Sequence, residues 1–162
     1  MSMDSVLAAL ENQPFAVAIV EGASLFPWIE TVHVIAIVTV VGTISVVDMR
    51  LLGVRAHVPS ARRLMAQLLP ATWIAFAVAL ISGVLMFSSK AVKYAANGPF
   101  QAKMLLLVLA GANMLLFHAL THKNIEMWDT GKTPPSAKIA GALSLTLWIS
   151  VIALGRWIGF TI

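Results

Sequence analysis

A chain of 162 residues with 59% apolar and 11% charged side chains cannot cover a water-exposed surface, which takes roughly a quarter charged residues. It is long enough for one compact bundle and too short for two domains with linkers. Cysteine is absent, which excludes disulfides, iron–sulfur clusters, thiolate-bound haem and covalent haem attachment, and a net charge of +4 in so apolar a chain reads as membrane topology rather than nucleic-acid binding.

Residues 1–26 form an N-terminal segment. Two short apolar runs, Val6–Leu10 and Phe15–Val20, are split by Asn12 and Pro14. Neither reaches the roughly 20 residues that span a bilayer, so both are expected as interfacial helices. The segment lacks a basic n-region, and Asp4, Glu11 and Glu21 interrupt it, so it does not read as a signal peptide.

Residues 27–162 predict a four-span bundle, with spans over about 28–52, 64–87, 100–121 and 139–160. Pro27 and Trp28 open the first span, proline suiting a helix start and Trp the membrane interface. Pro70 lies in the first two turns of the second span, where a kink is tolerated. Ser88 to Pro99 form a polar connection, and Lys123 to Lys138 a polar loop with Gly131, Pro134 and Pro135. Short connections predict an all-α, integral membrane, antiparallel four-helix bundle.

The face at the end of span one carries Arg50, Arg55, Arg62, Arg63, Lys123, Lys132 and Lys138. The other face carries Lys90, Lys93, Lys103 and Arg156, with the acids Asp4, Glu11, Glu21 and Glu30. The positive-inside rule places the first face in the cytoplasm and both termini outside.

Ionisable residues within a bilayer are costly and mark function by default. His33 stands about five residues inside span one, among apolar, Thr, Ser and Gly neighbours. A neutral imidazole there is a candidate metal or haem-iron ligand, the bland alternative being a structural hydrogen bond to a neighbouring helix. His118 lies near the other end of span three, with His122 at i+4. His118 is the second candidate ligand; His122 and Met86 are weaker candidates for the iron. His57, in the loop, and His122 otherwise read as interfacial. Lys103 opens span three roughly level with His33, as a snorkelling cation or as partner to Glu30, a haem propionate or an anionic substrate. Arg156 lies near the same face and is a candidate for a propionate or lipid phosphate. Gly155 and Gly159 around it read as a small-xxx-small packing pair. Asp48 and Arg50 end span one as interface anchors or as partners of polar groups on other helices. His33 and His118 lie toward opposite ends, since Lys103 to His118 alone rises ~22 Å. One iron is therefore not clamped by both within one chain.

Trp28-Ile-Glu-Thr-Val-His33, Gly42 and Asp48-Met-Arg50-Leu51 resemble the first helix of a broad group of bacterial four-helix membrane proteins. That group includes the HemJ-type protoporphyrinogen oxidases and CopD-like copper-resistance domains. Pro99-Phe-Gln-Ala-Lys103 and the apolar run after it are similar to their third helix. The resemblance implies a His and a Lys acting with haem b, and His33 and Lys103 match those places. A closer fit is an uncharacterised bacterial family of integral membrane proteins with the same first-helix pattern.

The function expected from these residues is haem b binding with His axial ligation, in an electron-transfer or quinone-linked redox subunit of the bacterial inner (cytoplasmic) membrane. His33, His118, Lys103 and Arg156 are its candidate cofactor-binding residues. Its expected partners are the lipid bilayer, a quinone, and a redox subunit or further copies of the chain, with no nucleic acid. Enzymatic activity is left open. The alternatives are a membrane-embedded porphyrin or quinone oxidoreductase, a copper-handling or transport protein, for which eight scattered Met are soft ligands, and a structural subunit.

Overall fold

The computed structural model describes residues 2–54, 60–129 and 132–162. Arg55, His57 and Gly131 lie outside the described residues. The first two helices are the short ones expected: α1 (Met3–Glu11) and α2 (Pro14–Glu21). The Ser2 hydroxyl caps α1 by accepting the Ser5 N–H, and Pro14 starts α2, where a helix has no use for its missing donor. Both lie against the bundle. Ala16 and Ile19 are buried, and Glu11 Oε1 accepts the Val92 N–H at 2.9 Å.

Next come α3 (Leu25–Leu52), α4 (Ala61–Ser89), the short α5 (Ala91–Ala96) and α6 (Gly98–Leu116). A π-helical turn over Phe117–Thr121 and a 3₁₀ turn over His122–Asn124 extend α6. Then follow α7 (Ile125–Trp128) and α8 (Pro135–Thr161). Four helical stretches, α3, α4, Gly98–Trp128 and α8, are long and apolar enough to cross a membrane. This is a multi-pass, all-α membrane bundle.

The helices overrun the spans expected from hydropathy. The 28 residues of α3 measure ~42 Å at 1.5 Å per residue, against a hydrocarbon core of about 30 Å. Their ends therefore reach the headgroup region, where polar caps stop them. Ser60 accepts the Arg63 N–H at the start of α4. Asn97 accepts the Phe100 N–H at the start of α6. Gly53 ends α3 with φ 83°, a left-handed residue that costs glycine little. The third span, expected as plain α-helix to Thr121, instead takes a wider turn at Phe117 that hydropathy does not encode.

Side by side, α3 packs on α4 and on α8, and α8 packs on α6. No comparable contact joins α4 to α6; on that side the row is bridged by side chains, Phe87 against Phe100 at one end and Phe117 in a cluster with Ala61 and Met65 at the other. The outward faces are apolar: Val38, Ile74, Leu105 and Ile149 are each 60–69% exposed. In water such faces would be unstable; acyl chains cover them.

Polar side chains and small residues tie the row together. Thr72 donates to Thr43 Oγ1 at 2.8 Å between α4 and α3. Asn113 Nδ2 donates to the Ala140 carbonyl at 3.0 Å between α6 and α8. At Gly141 a Cβ would stand 3.1 Å from the Asp48 carbonyl oxygen, so α8 crosses α3 nearly backbone on backbone. Beyond that crossing, Leu51, Ala61, Met65, Phe117, Ile125 and Ala137 form a buried apolar cluster. Asp129 closes it. Its carboxylate accepts the Ala61 N–H at 2.7 Å and the Arg62 N–H at 3.1 Å, and Arg50 pairs with it at 3.6 Å. Arg50 thus partners another segment, the second of the two roles expected for it.

Candidate functional site

His33 is half-buried in the third turn of α3 and faces α4. Its Nδ1 lies 2.9 Å from Ser82 Oγ. Ser82 sends its single hydroxyl hydrogen to the Val78 carbonyl. With that hydrogen so placed, Ser82 Oγ is left to accept, which assigns the ring proton to Nδ1 and the lone pair to Nε2. Gly83 seats the ring edge: a Cβ there would stand 3.1 Å from His33 Cε1. Two adjacent small residues of α4 therefore fix both the tautomer and the tilt of the imidazole.

Lys103 is half-buried on α6, and its ammonium lies in a second notch. A Cβ at Gly155 of α8 would meet Lys103 Nζ at 3.4 Å. Among the described residues Lys103 has no ion-pair partner. The two residues share one level, as counting from the span ends predicts. Phe87, Tyr94 and Phe100 cluster at that end of the bundle, with centroids 5.4 Å apart for Phe87–Phe100 and 5.5 Å for Tyr94–Phe100. Burial and the nearby Glu30 carboxylate push the Tyr94 phenol above its ordinary value.

The other end holds a cavity of about 280 Å³ touched by all four long helices. Asp48 lines it and is only 5% exposed. Among the described residues its Oδ2 has no hydrogen-bond partner, although the Ser144 hydroxyl stands beside the carboxylate. Asp48 is therefore no interface anchor. The α8 crossing at Gly141 covers its backbone and turns it inward. His118 lies in the π-helical turn on the same cavity. Its Nδ1 is 2.9 Å from the Met114 carbonyl, which can only accept, so here too Nε2 keeps the lone pair.

Residues 16–161 match the model of a family of unknown function, DUF6644. The chain belongs to DUF6644. No curated protein and no solved structure matches it. DUF6644 accounts for α2 through α8, so both ends of the bundle fall within it. It agrees with the expected kinship to a family without assigned activity, and it supplies no link to the HemJ-type or CopD-like proteins.

Within this DUF6644 fold, four expected site residues are separated. His33 and Lys103 lie at one end of the bundle, against Gly83 of α4 and Gly155 of α8, and His118 lies at the opposite end. Arg156 is exposed, its guanidinium 4.7 Å from the Phe160 ring centroid of its own helix. Of the Gly155–Gly159 pair, Gly155 accommodates Lys103 and Gly159 meets nothing within 4 Å. His122 stacks near His118, with ring centroids 5.1 Å apart. Met86 shares the helix face of Ser82, one turn on. Among the described residues no three His, Asp or Glu converge as a metal-ion site. Ser82 and Gly83 are the positions at this site that sequence reasoning passed over, and Asp48, named there as an anchor or a partner of other helices, is buried instead. Small residues in an apolar run carry no signal of their own, and Asp48 sits too near Arg50 to look buried.

Proposed function

We propose that the protein is a haem b-binding redox subunit of the membrane, with His33 as an axial ligand and Lys103 holding a propionate. The observation that supports this is the His33 imidazole, whose Nδ1–H is tied to Ser82 and whose Nε2 is a free base. Metal-ligating histidines donate their other ring N–H in this way. A bare ion needs three or four protein ligands, whereas a porphyrin brings four nitrogens and needs only an axial imidazole. Lys103 is a cation at the same level without a carboxylate, the complement of a propionate.

We place the iron at His33 and not at His118. The cavity beside His118, at about 280 Å³, lies at the small end of ligand pockets, which run ~300–1,000 Å³. It suits one ring rather than a macrocycle. A second axial ligand then comes from another chain, either a further copy or a partner redox subunit. The positive-inside rule puts the Arg50 end in the cytoplasm and the haem near the outer face of a bacterial inner membrane.

Haem titration of the purified protein in detergent tests the seat of the imidazole. Ser82→Ala frees Nδ1 and is expected to weaken haem binding by about 10–100-fold, with helicity unchanged by circular dichroism. Wild-type haem affinity in that variant would contradict the assignment.

A further inference from the structure

The cavity at the Arg50 end gathers several hydrogen-bond acceptors, with the Ser144 hydroxyl beside the Asp48 carboxylate as a donor on its wall. Asp48 Oδ2 is buried and unpartnered among the described residues. His118 Nε2 carries a lone pair because Nδ1–H is committed to Met114. Asn113 gives an amide hydrogen to the Ala140 carbonyl, which leaves its oxygen without a partner among the described residues. The hydroxyl hydrogen of Thr72 goes across to Thr43 Oγ1 on α3, and that of Thr43 goes to the Thr39 carbonyl of its own helix. A buried acceptor without a donor is costly, and a buried carboxylate most of all.

The remaining wall is apolar and aromatic, with Trp73 and Phe76 from α4 and Trp148 from α8. Such faces stack on flat rings. The volume of about 280 Å³ admits one substituted ring. Backbone contact between α4 and α6 is sparse, and that side is the route proposed here for a molecule dissolved in the bilayer.

We propose that this cavity binds a flat, bilayer-soluble aromatic diol of the hydroquinone class, one hydroxyl donating to Asp48 Oδ2 and the other directed to His118 Nε2. Two acceptors call for two donors, and the aromatic walls call for a ring between them. A protonated amine would also satisfy Asp48. It would have to shed its hydration to cross acyl chains, whereas a neutral diol partitions there without that cost. The inference goes beyond the haem reading and does not depend on it.

The test uses haem-free protein in lipid nanodiscs, titrated with a decyl-substituted benzohydroquinone kept reduced. Quenching of tryptophan fluorescence is read against empty nanodiscs, since Trp73 and Trp148 line the cavity. The expected result is saturable quenching by the diol, with the matching dimethyl ether weaker by at least about tenfold. Asp48→Asn is expected to weaken the diol by a similar factor. Gly111→Leu is expected to abolish saturation. Gly111 lines the cavity and a Cβ there meets nothing within 4 Å, so the side chain fills the space without a backbone clash. Equal binding of diol and ether overturns the proposal. So does unchanged binding in Asp48→Asn, saturable quenching that survives Gly111→Leu, or a decylamine that binds more tightly than the diol. Loss of haem binding at His33 would leave each of these readings intact.

Discussion

Asp129→Ala is expected to destabilise the bundle by about 3–5 kcal/mol, the range for removing one partner of a buried ion pair. Asp129 and Arg50 side chains are only 8% and 12% exposed. One carboxylate serves three donors there: the Ala61 and Arg62 N–H groups that begin α4, and the Arg50 guanidinium. Its loss strands two backbone donors at a helix start and leaves Arg50 uncompensated. Arg50 Nε is already buried without a partner among the described residues, and the bond from Arg50 Nη2 to the Asp129 main-chain carbonyl, which survives the substitution, carries no compensating charge. Arg62→Ala is the contrast, because the Arg62–Glu126 pair is 65% and 75% exposed and such pairs contribute about 0–1 kcal/mol. Thermal unfolding followed by circular dichroism in one detergent separates the two variants. A small effect for Asp129→Ala would mean that Arg50 and the α4 start are held by something else.

Gly141→Leu is expected to cost about 3 kcal/mol, the upper end of the usual range for overpacking. A Cβ at this position meets the Asp48 carbonyl oxygen at 3.1 Å and Leu51 Cβ at 3.2 Å. Neither is the far end of a flexible side chain, so relief requires moving α8 off α3. That shift also uncovers Asp48 and reshapes the cavity beside it. Gly159→Ala and Gly42→Ala are the matched controls, since a Cβ at either meets nothing within 4 Å. Their unfolding temperatures should stay at the wild-type value. Equal stability of Gly141→Leu and the controls would show that α3 and α8 do not cross at this distance.

These two residues also mark where sequence reasoning stops. Spans are legible because hydropathy is local, and four apolar runs give four long helices. The shared level of His33 and Lys103 is legible because each can be counted from the end of its own helix. Asp129 is 68 residues from Ala61 and 79 from Arg50, so within a polar loop it looks like any solvated acid. Asp48 two positions before an Arg looks interfacial until the Gly141 crossing shows its surroundings. The Gly155–Gly159 spacing suggests helix packing, yet the first glycine makes room for a lysine. The π-helical turn that carries His118 changes which face the ring takes, and no residue in Phe117–Thr121 announces it.

The central claim is that His33, oriented by Ser82, is an axial ligand of haem b. Its most direct test is the reduced-minus-oxidised visible spectrum of the purified protein in detergent, with a pyridine haemochrome count, for wild type, His33→Ala and His118→Ala. The account predicts a b-type spectrum in wild type and in His118→Ala, and its loss in His33→Ala. A wild-type protein that holds no haem even after reconstitution, or a b-type spectrum that persists without His33, would contradict it.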